Sequence, residues 1–365
     1  MRHDDTSTRT ADRQPDERPR NRPRRSASDK RPGFVRRHPV LLSALVLVGV
    51  LVAGVLVFAL YLNTQLGKID RFELGKIPDD RRPTQVEGDA VNILLAGLDE
   101  GDGRSIAEIQ DGGWDSGVVR SDAIMVLHLT ADRQRAYVIS IPRDSYVRLY
   151  GEDGRPQEMN RINAAFSLYG PTAFRSTVEN VTELRMNHVA IADFAGFEDI
   201  TNALGGVAVT TPGEGTQQLD GEESLRYVRT RSGLPSEDFD RIARQQNFLR
   251  AMLGKTLSTG TLTNPFTLTS TLKAVVGNLT VDQEFDTGKI RSLALSLRGL
   301  RVSDVTFVTA PFGSYGTTDA GASIVRLDEK QSDELWEATA NDRMAEYLEE
   351  YGVESEQLPQ PGDVN

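Results

Sequence analysis

Residues 91–99 read VNILLAGLD, in which the short apolar run Val91 to Leu95 precedes Ala96-Gly97-Leu98-Asp99. Two similar runs follow: residues 123–129 (AIMVLHL), directly after Arg120-Ser121-Asp122, and residues 136–141 (AYVISI), directly before Pro142-Arg143-Asp144. Short apolar runs that are bounded by polar residues are typical of buried or half-buried β-strands. We therefore predict three strands with charged residues at their ends.

Helical patterns alternate with strand patterns along the rest of the chain. Helices are predicted over residues 164–168, 172–184, 194–204, 238–257, 268–276, 287–297 and 328–350. Further short strands are predicted over residues 189–192, 207–209 and 305–309. This alternation predicts an α/β fold in which a mixed central β-sheet is sandwiched by helices.

The N-terminal segment has a different composition from the rest of the chain. The 365-residue chain has a net charge of −11, but its first 38 residues hold 12 Arg or Lys against 6 Asp or Glu. A segment with so few apolar residues cannot bury enough surface to fold, so we predict that residues 1–38 are a disordered basic arm. An acidic main body argues against a nucleic-acid partner.

An uncharged segment of 23 residues, 40–62, follows this arm. At about 1.5 Å per residue, it is long enough to cross a bilayer core of about 30 Å. We predict a single transmembrane helix over residues 39–62, with the basic arm in the cytoplasm by the positive-inside rule. Residues 63–88 are then a linker, residues 89–350 an extracytoplasmic domain, and residues 351–365 a disordered tail.

The absence of cysteine and the low histidine content exclude several kinds of catalytic site. The chain has no Cys and only four His, and no HExxH pattern occurs. Disulfides, thiolate-bound zinc and a cysteine nucleophile are therefore impossible, and a Ser-His-Asp triad is poorly supported.

The predicted domain contains an arginine-rich polar stretch, residues 225–246 (LRYVRTRSGLPSEDFDRIARQQ). An extended backbone would point Arg229 and Arg231 in the same direction. Arg241, Arg244 and Gln245 share one face of a helix, since their spacing is i, i+3 and i+4. Guanidinium groups match phosphate oxygens well, although a surface helix with salt bridges explains the same spacing.

Carboxylates at the predicted strand ends supply the other half of a possible site. Asp99 follows one strand and Asp122 precedes another, and Arg120 and Arg143 lie beside these ends. Carboxylates without histidine or cysteine suit a hard cation such as Mg²⁺ that is held partly by substrate phosphates. Acidic metal ligands with several arginines fit phosphoryl transfer, and outside the membrane a lipid-linked phosphate is the natural donor.

Nine short motifs together resemble the LytR–CpsA–Psr family. They are residues 92–99 (NILLAGLD), 120–125 (RSDAIM), 140–147 (SIPRDSYV), 162–165 (INAA), 193–206 (DFAGFEDITNALGG), 221–225 (GEESL), 227–231 (YVRTR), 238–241 (DFDR) and 244–246 (RQQ). The resemblance covers roughly residues 89–256. It implies a membrane-anchored phosphotransferase that moves a glycopolymer from a polyprenyl pyrophosphate carrier onto peptidoglycan, and an apolar tunnel for the prenyl chain.

The resemblance also implies roles for individual residues. Asp99 and Asp122 would bind the metal, which is Mg²⁺, with Mn²⁺ as a substitute. The expected catalytic residues are Arg120, Arg143, Arg229 and Arg231. The pyrophosphate would be bound by these four arginines together with Arg241, Arg244 and Gln245.

Two other functions fit the same residues. The arginines would serve equally well in a protein that binds polyprenyl pyrophosphate without catalysis. A transcriptional regulator of the cell envelope is opposed by the predicted topology, because the arginines would face away from DNA.

Overall fold

The computed structural model describes residues 39–86, 88–99, 106–114, 116–117, 119–211, 215–230 and 237–352. The side chains of residues 39–51, 55, 99, 193–195 and 237–240 lie outside this description. The predicted disordered arm, residues 1–38, and nearly all of the predicted tail also fall outside it. The chain divides into two compact units, residues 1–56 and residues 57–365, and the fold discussed below belongs to the second.

The described residues form strands and helices in alternation. The strands are β1 (Asp70–Phe72), β2 (Val91–Asp99), β3 (Arg120–Leu129), β4 (Ala136–Ile141), β5 (Tyr146–Tyr150), β6 (Pro156–Arg161), β7 (His188–Asp193), β8 (Val207–Thr211), β9 (Gly215–Leu219), β10 (Leu279–Asp282), β11 (Val305–Thr309), β12 (Phe312–Thr317) and β13 (Ser323–Leu327). The α-helices are α1 (Pro39–Leu66), α2 (Ile106–Asp111), α3 (Asn163–Thr182), α4 (Phe194–Ala203), α5 (Gly221–Arg229), α6 (Glu237–Thr256), α7 (Thr259–Leu262), α8 (Pro265–Asn278), α9 (Thr287–Ser296), α10 (Glu329–Ala340) and α11 (Met344–Tyr351).

A seven-stranded mixed sheet organises the described part of the domain. Its strand order is β1-β10-β7-β2-β3-β4-β11. The strand β3 is antiparallel to β2 and β4, whereas β7 is parallel to β2 and β11 is parallel to β4. Three hairpins, β5-β6, β8-β9 and β12-β13, form separate two-stranded sheets. The predicted mixed α/β architecture is therefore confirmed.

One face of the sheet packs closely against helices. Leu94, Ile124 and Ile139 point to this face and pack in one cluster with Phe166 and Phe174 of α3, and each of the five is at most 1% exposed. Burying each such side chain stabilises the fold by about 1.5–3 kcal/mol. This face is therefore the main source of stability in the domain.

The opposite face of the sheet is less completely covered. Leu95 and Leu127 point to this side because side chains alternate along a strand, and both are only half-buried. The residues that pack on this side, such as Leu249 and Leu253 of α6 and Leu293 of α9, are half-buried too. Apolar surface between the sheet and these helices thus stays accessible.

The segment predicted to be a linker, residues 63–88, contributes to the fold. Its strand β1 pairs with β10, and Phe72 is 1% exposed. Arg82 donates hydrogen bonds to both carboxylate oxygens of the fully buried Glu179, at 2.9 and 2.5 Å. The folded domain therefore begins before residue 89.

The predicted membrane span coincides with part of α1. Among the described residues, the structure contains no helix that is both long and apolar enough to cross a membrane. The side chains of residues 39–51, more than half of the predicted span, lie outside the description. The transmembrane helix and the resulting location at the cell membrane stay predictions.

Candidate functional site

Four of the predicted site residues lie at one end of three neighbouring strands. The strand β2 ends at Asp99, β3 begins at Arg120, and Arg143 comes two residues after the end of β4. Because β3 is antiparallel to both neighbours, these three strand ends meet at the same edge of the sheet. The register pairs Asp99 with Arg120, although only the backbone of Asp99 is described.

A β-bulge in β3 places Asp122 at this edge. Gly97 pairs with Ala123 and Leu98 pairs with Ser121, so Asp122 is the inserted residue of the bulge. A bulge bends its strand and redirects side chains, and bulges occur often beside active sites. The side chain of Asp122 is 12% exposed and accepts a short hydrogen bond from Nη1 of Arg143.

A second carboxylate fixes the orientation of Arg143. The Nε atom of Arg143 lies 3.5 Å from Oδ2 of Asp144, and Oδ1 of Asp144 lies 3.3 Å from Nη1 of Arg161. The backbone carbonyl of Asp144 accepts a hydrogen bond of 2.9 Å from the amide of Val325 in β13. Asp144 therefore pairs with arginines and acts as a positioning group.

The helix α5 ends at Arg229 close to the bulge of β3, because its Tyr227 and Val228 belong to an apolar cluster against which Ala123 packs. A capping box between Asp220 and Glu223 fixes its first turn. A side chain at Gly221 would collide with α4, since a Cβ atom there would lie 2.7 Å from the backbone oxygen of Glu198. Arg229 is the last residue of α5 and is half-buried.

The extended backbone predicted for residues 229–231 is wrong at Arg229, because α5 continues through it. Its capped start and buried face, with Tyr227 and Val228 in an apolar cluster, favour helix over strand. The chain becomes extended only at Thr230, with φ −62° and ψ 125°. Arg231 lies outside the described residues.

The helix α6 carries the remaining predicted anion ligands. Arg241 is 3% exposed and Gln245 is 5% exposed, so both point into the protein, as their spacing predicts. The guanidinium carbon of Arg244 lies 4.9 Å from the ring centroid of Tyr227, two residues before Arg229. This cation–π contact joins α6 to α5 and brings their arginines to one region.

A buried amide connects α6 to the sheet. Nε2 of Gln246 lies 2.6 Å from Oγ of Ser140, 3.1 Å from the backbone oxygen of Val308 and 3.2 Å from Oγ1 of Thr309. These acceptors lie at the ends of β4 and β11, next to Arg143. Gln246 therefore holds the arginines of α6 against the carboxylate edge, a role that its sequence position did not indicate.

One turn further along α6, Arg250 marks a desolvated region. It is 5% exposed, and its guanidinium carbon lies 5.2 Å from the ring centroid of Phe307. Burial lowers the pKa of the Arg250 guanidinium. Charged groups interact more strongly in such surroundings than in water.

The donors available for a metal are few. Within the part of the chain that the structure describes, no group of three or more His, Asp or Glu side chains is arranged to hold an ion. Asp99 and Asp122 belong to neighbouring strands at one edge. Two carboxylates fit a hard cation whose other ligands are phosphate oxygens and water, so this donor set is compatible with the predicted Mg²⁺.

The fold and the arginine-rich edge define a mixed α/β domain with the features of an anion-binding site. A model of the LytR_cpsA_psr family matches residues 63–341 of this chain. The chain therefore belongs to the LytR–CpsA–Psr family, as its motifs predict.

Two relatives illustrate the match in sequence. The chain is 35% identical over 307 residues to the probable cell wall biosynthesis protein LcpB of Corynebacterium glutamicum, covering 79% of this chain and 69% of LcpB. It is 33% identical over 214 residues to the polyisoprenyl-teichoic acid–peptidoglycan teichoic acid transferase TagU of Bacillus anthracis, covering 56% of this chain and 65% of TagU.

Solved structures share the fold. TagV of B. subtilis aligns with a TM-score of 0.56 at 23% identity, over 71% of this chain and 98% of TagV. TagT bound to LI-WTA aligns with a TM-score of 0.51 at 22% identity, over 76% of this chain and 99% of TagT.

The Gln246 network generates a testable prediction. We expect Gln246→Leu to lower the free energy of unfolding by about 1–3 kcal/mol, because buried acceptors lose their donor. The measurement is urea denaturation of the purified protein. The matched control is Gln218→Leu on the exposed side of β9, which should change the stability by less than about 0.5 kcal/mol. Equal stability of the two variants would refute the structural role of Gln246.

Proposed function

We propose that this protein is a membrane-anchored phosphotransferase that moves a glycopolymer from a polyprenyl pyrophosphate carrier to a hydroxyl group of peptidoglycan. The observation that carries the proposal is the ion pair of Asp122 and Arg143 at one edge of the sheet, to which Gln246 joins α6 and the contact of Arg244 with Tyr227 joins α5. The names of LcpB and TagU support a transferase role in cell wall assembly.

The arginines would bind the diphosphate of the carrier. Arg143 is already oriented by Asp122 and Asp144, so little conformational entropy is lost when it meets a phosphate oxygen. Arg120 and Arg229 enter from the sheet and from α5, and Arg241 from α6. Guanidinium groups that converge from separate elements can contact both phosphates of one diphosphate in a fixed geometry.

The proposed reaction is a substitution at phosphorus. A sugar hydroxyl of the acceptor attacks the phosphorus next to the glycan, and the bond from that phosphorus to the bridging oxygen breaks. The products are a phosphodiester and polyprenyl phosphate, and the hydroxyl proton passes to the released phosphate or to solvent. The arginines neutralise the charge that develops on the phosphate oxygens, where fixed donors are most effective.

A magnesium ion is part of the proposal. Asp99 and Asp122 would hold it, with phosphate oxygens of the substrate completing its ligands. When bound, the ion supplies further charge neutralisation at the diphosphate. Mn²⁺ has similar preferences for oxygen ligands and should substitute.

The half-buried face of the sheet would receive the prenyl chain. Leu95 and Leu127 line it from the sheet, and Leu249 and Leu253 line it from α6. An apolar chain in this space would remove their remaining exposed surface from water, which is favourable by about 25 cal/mol per Å².

The location completes the proposal. The uncharged residues 40–62 would span the membrane, with the basic arm in the cytoplasm and the folded domain outside. Tethering to the bilayer would keep the domain beside its lipid-linked donor and its peptidoglycan acceptor.

Arg229, the last residue of α5, and Arg231 give the central test. We expect Arg229→Ala with Arg231→Ala to lower the transfer rate at least about a hundredfold, as loss of a fixed donor to a developing charge does. The assay follows transfer from a purified lipid-linked glycan to peptidoglycan fragments. The control is Arg226→Ala on the same helix, whose side chain is 67% exposed and should leave the rate unchanged.

Full activity in a folded double variant would refute the catalytic role. If the wild-type protein binds the lipid-linked glycan but never turns it over, the non-catalytic binding function is correct instead.

The metal proposal has its own test. We expect EDTA to abolish transfer and Mg²⁺ to restore it. Asp122→Asn should raise the Mg²⁺ concentration for half-maximal rate by about tenfold or more, because the donor set loses a negative charge. Asp333→Asn, on the exposed side of α10, is the control. Undiminished transfer in EDTA would contradict the proposal.

The proposed role of the half-buried face can be tested by filling the space beside it with a larger side chain. We expect Leu127→Trp to slow transfer from long-chain polyprenyl donors by about tenfold, or ~1.4 kcal/mol, while short-chain donors react as before. Thermal unfolding must first show that the enlarged side chain leaves the protein folded. Leu295→Trp, at a site that is 58% exposed on α9, should affect neither donor. An equal loss with both donors would show that Leu127 does not face the prenyl chain.

A further inference from the structure

A second apolar feature lies away from the candidate site, at the turn between α7 and α8. Phe266, near the start of α8, is 85% exposed, and Leu262, at the end of α7, is 49% exposed. Such exposure of a phenylalanine in water is unfavourable, because its large apolar surface gains nothing from hydration. We call residues 262–266 the apolar corner.

The apolar corner is held in place by local structure. Oδ1 of Asn264 accepts hydrogen bonds from the amides of Phe266 and Thr267, at 3.0 and 3.3 Å, and so caps α8. Pro265 occupies the first turn, where its fixed φ suits the start of a helix. Ser270 also anchors α8 through a hydrogen bond of 3.3 Å to the backbone oxygen of Ala203. Phe266 is therefore presented on a fixed helix start.

The apolar corner lies beside the last turns of α1. Phe58 and Tyr61 of α1 and Pro265, Phe266 and Lys273 of α8 line a crevice of about 440 Å³. The neighbouring Val57 and Leu60 are 67% and 66% exposed. The apolar surface of the corner thus continues onto α1 within the compact unit that begins at Val57.

The position of Phe58 in the sequence indicates what covers this surface. The predicted membrane span ends at Leu62, four residues after Phe58, and the polar residues Asn63, Thr64 and Gln65 follow it. At about 1.5 Å per residue, Phe58 lies about 6 Å inside the end of the proposed membrane span. A side chain that shares a crevice with Phe58 would lie at a similar depth, which is the boundary between headgroups and acyl chains. Lys273 in the same crevice can reach lipid phosphates while its stem stays on apolar surface.

We propose that the apolar corner inserts Phe266 and Leu262 into the outer leaflet of the membrane, a proposal that rests on the membrane anchoring in the proposed function. The helix α8 then joins the bilayer to the half-buried face of the sheet, which would receive the prenyl chain. Leu272, half-buried on α8, packs in the cluster of Ile93 and Val276 on the incompletely covered side. The corner therefore holds that side of the domain against the lipid phase from which a prenyl chain must enter.

The chain has no cysteine, which allows a direct test of depth. Phe266→Cys is labelled with an environment-sensitive fluorophore in the full-length protein. The protein is reconstituted into vesicles of phosphatidylcholine and phosphatidylglycerol that contain lipids with nitroxide-labelled acyl chains. We expect strong quenching by the nitroxides and weak quenching by aqueous iodide, because the label lies in the leaflet.

The matched control is Leu295→Cys, at a position that is 58% exposed on α9. Its surroundings include Asp132, Arg133, Arg298 and Asp304, charged groups that oppose entry into a membrane. The label at residue 295 should show the reverse pattern, with weak nitroxide and strong iodide quenching. The same pattern at residue 266 would overturn the proposal.

Two further readouts separate this proposal from its alternatives. If the corner contacts a second copy of the chain instead, the unlabelled Phe266→Cys variant will form a disulfide between two chains under mild oxidation, which would overturn membrane insertion.

Quenching needs no turnover, so it decides the proposal even if the protein proves to be no transferase. Where transfer is observed, Phe266→Ser should slow it several-fold in vesicles and leave it unchanged in detergent micelles, whereas an equal loss in both would count against insertion.

Discussion

The geometry of the candidate site depends on the contact of Arg143 with two carboxylates. Asp122 comes from the bulge of β3, and Asp144 is itself fixed by Arg161 and by the backbone of β13. A carboxylate has about four lone-pair positions, so the bond to Arg143 leaves most of those on Asp122 for a cation or a donor. The ion pair and the proposed metal ligation are therefore compatible, and the arginine sets the direction of the oxygens that remain.

The two faces of the central sheet serve different physical ends. Adjacent residues of one strand, Leu94 and Leu95, point to opposite sides, and the first is fully buried whereas the second is half-buried. The closely packed face provides the burial that folding requires. The fold can therefore leave the other face incompletely filled. If that face held the only core of the domain, the same incomplete packing would cause a large loss of stability.

The sequence predicted the central strands well because each is a short apolar run that has charged residues at or near one end. The predictions over residues 123–129 and 136–141 fall within or coincide with β3 and β4. The hairpin strand β6, PQEMNR, was missed because it has neither alternation nor apolar residues in number. The two helices predicted on either side of Pro171 are both present, because the non-helical backbone of Gly170, with φ 83° and ψ −176°, divides α3 into two helical segments. Residue types at the site were readable, but the bulge at Asp122 and the partners of Gln246 arise only from tertiary pairing.

The helix α6 carries residues suited to both the diphosphate and the prenyl chain of the proposed substrate. Its N-terminal half carries Arg241 and Gln245, and its positive dipole end favours anions there. Leu249 and Leu253 follow one and two turns after Gln245 and face the incompletely covered side of the sheet. From Arg241 to Leu253 the helix rises about 18 Å. One rigid helix thus carries donors for a diphosphate and, further along, apolar surface for the attached prenyl chain. Gln246 lies between these two groups of residues and joins the helix to the carboxylate edge of the sheet. A substrate with a charged head and a long apolar chain matches this arrangement, whereas a soluble nucleotide would leave the apolar half unused.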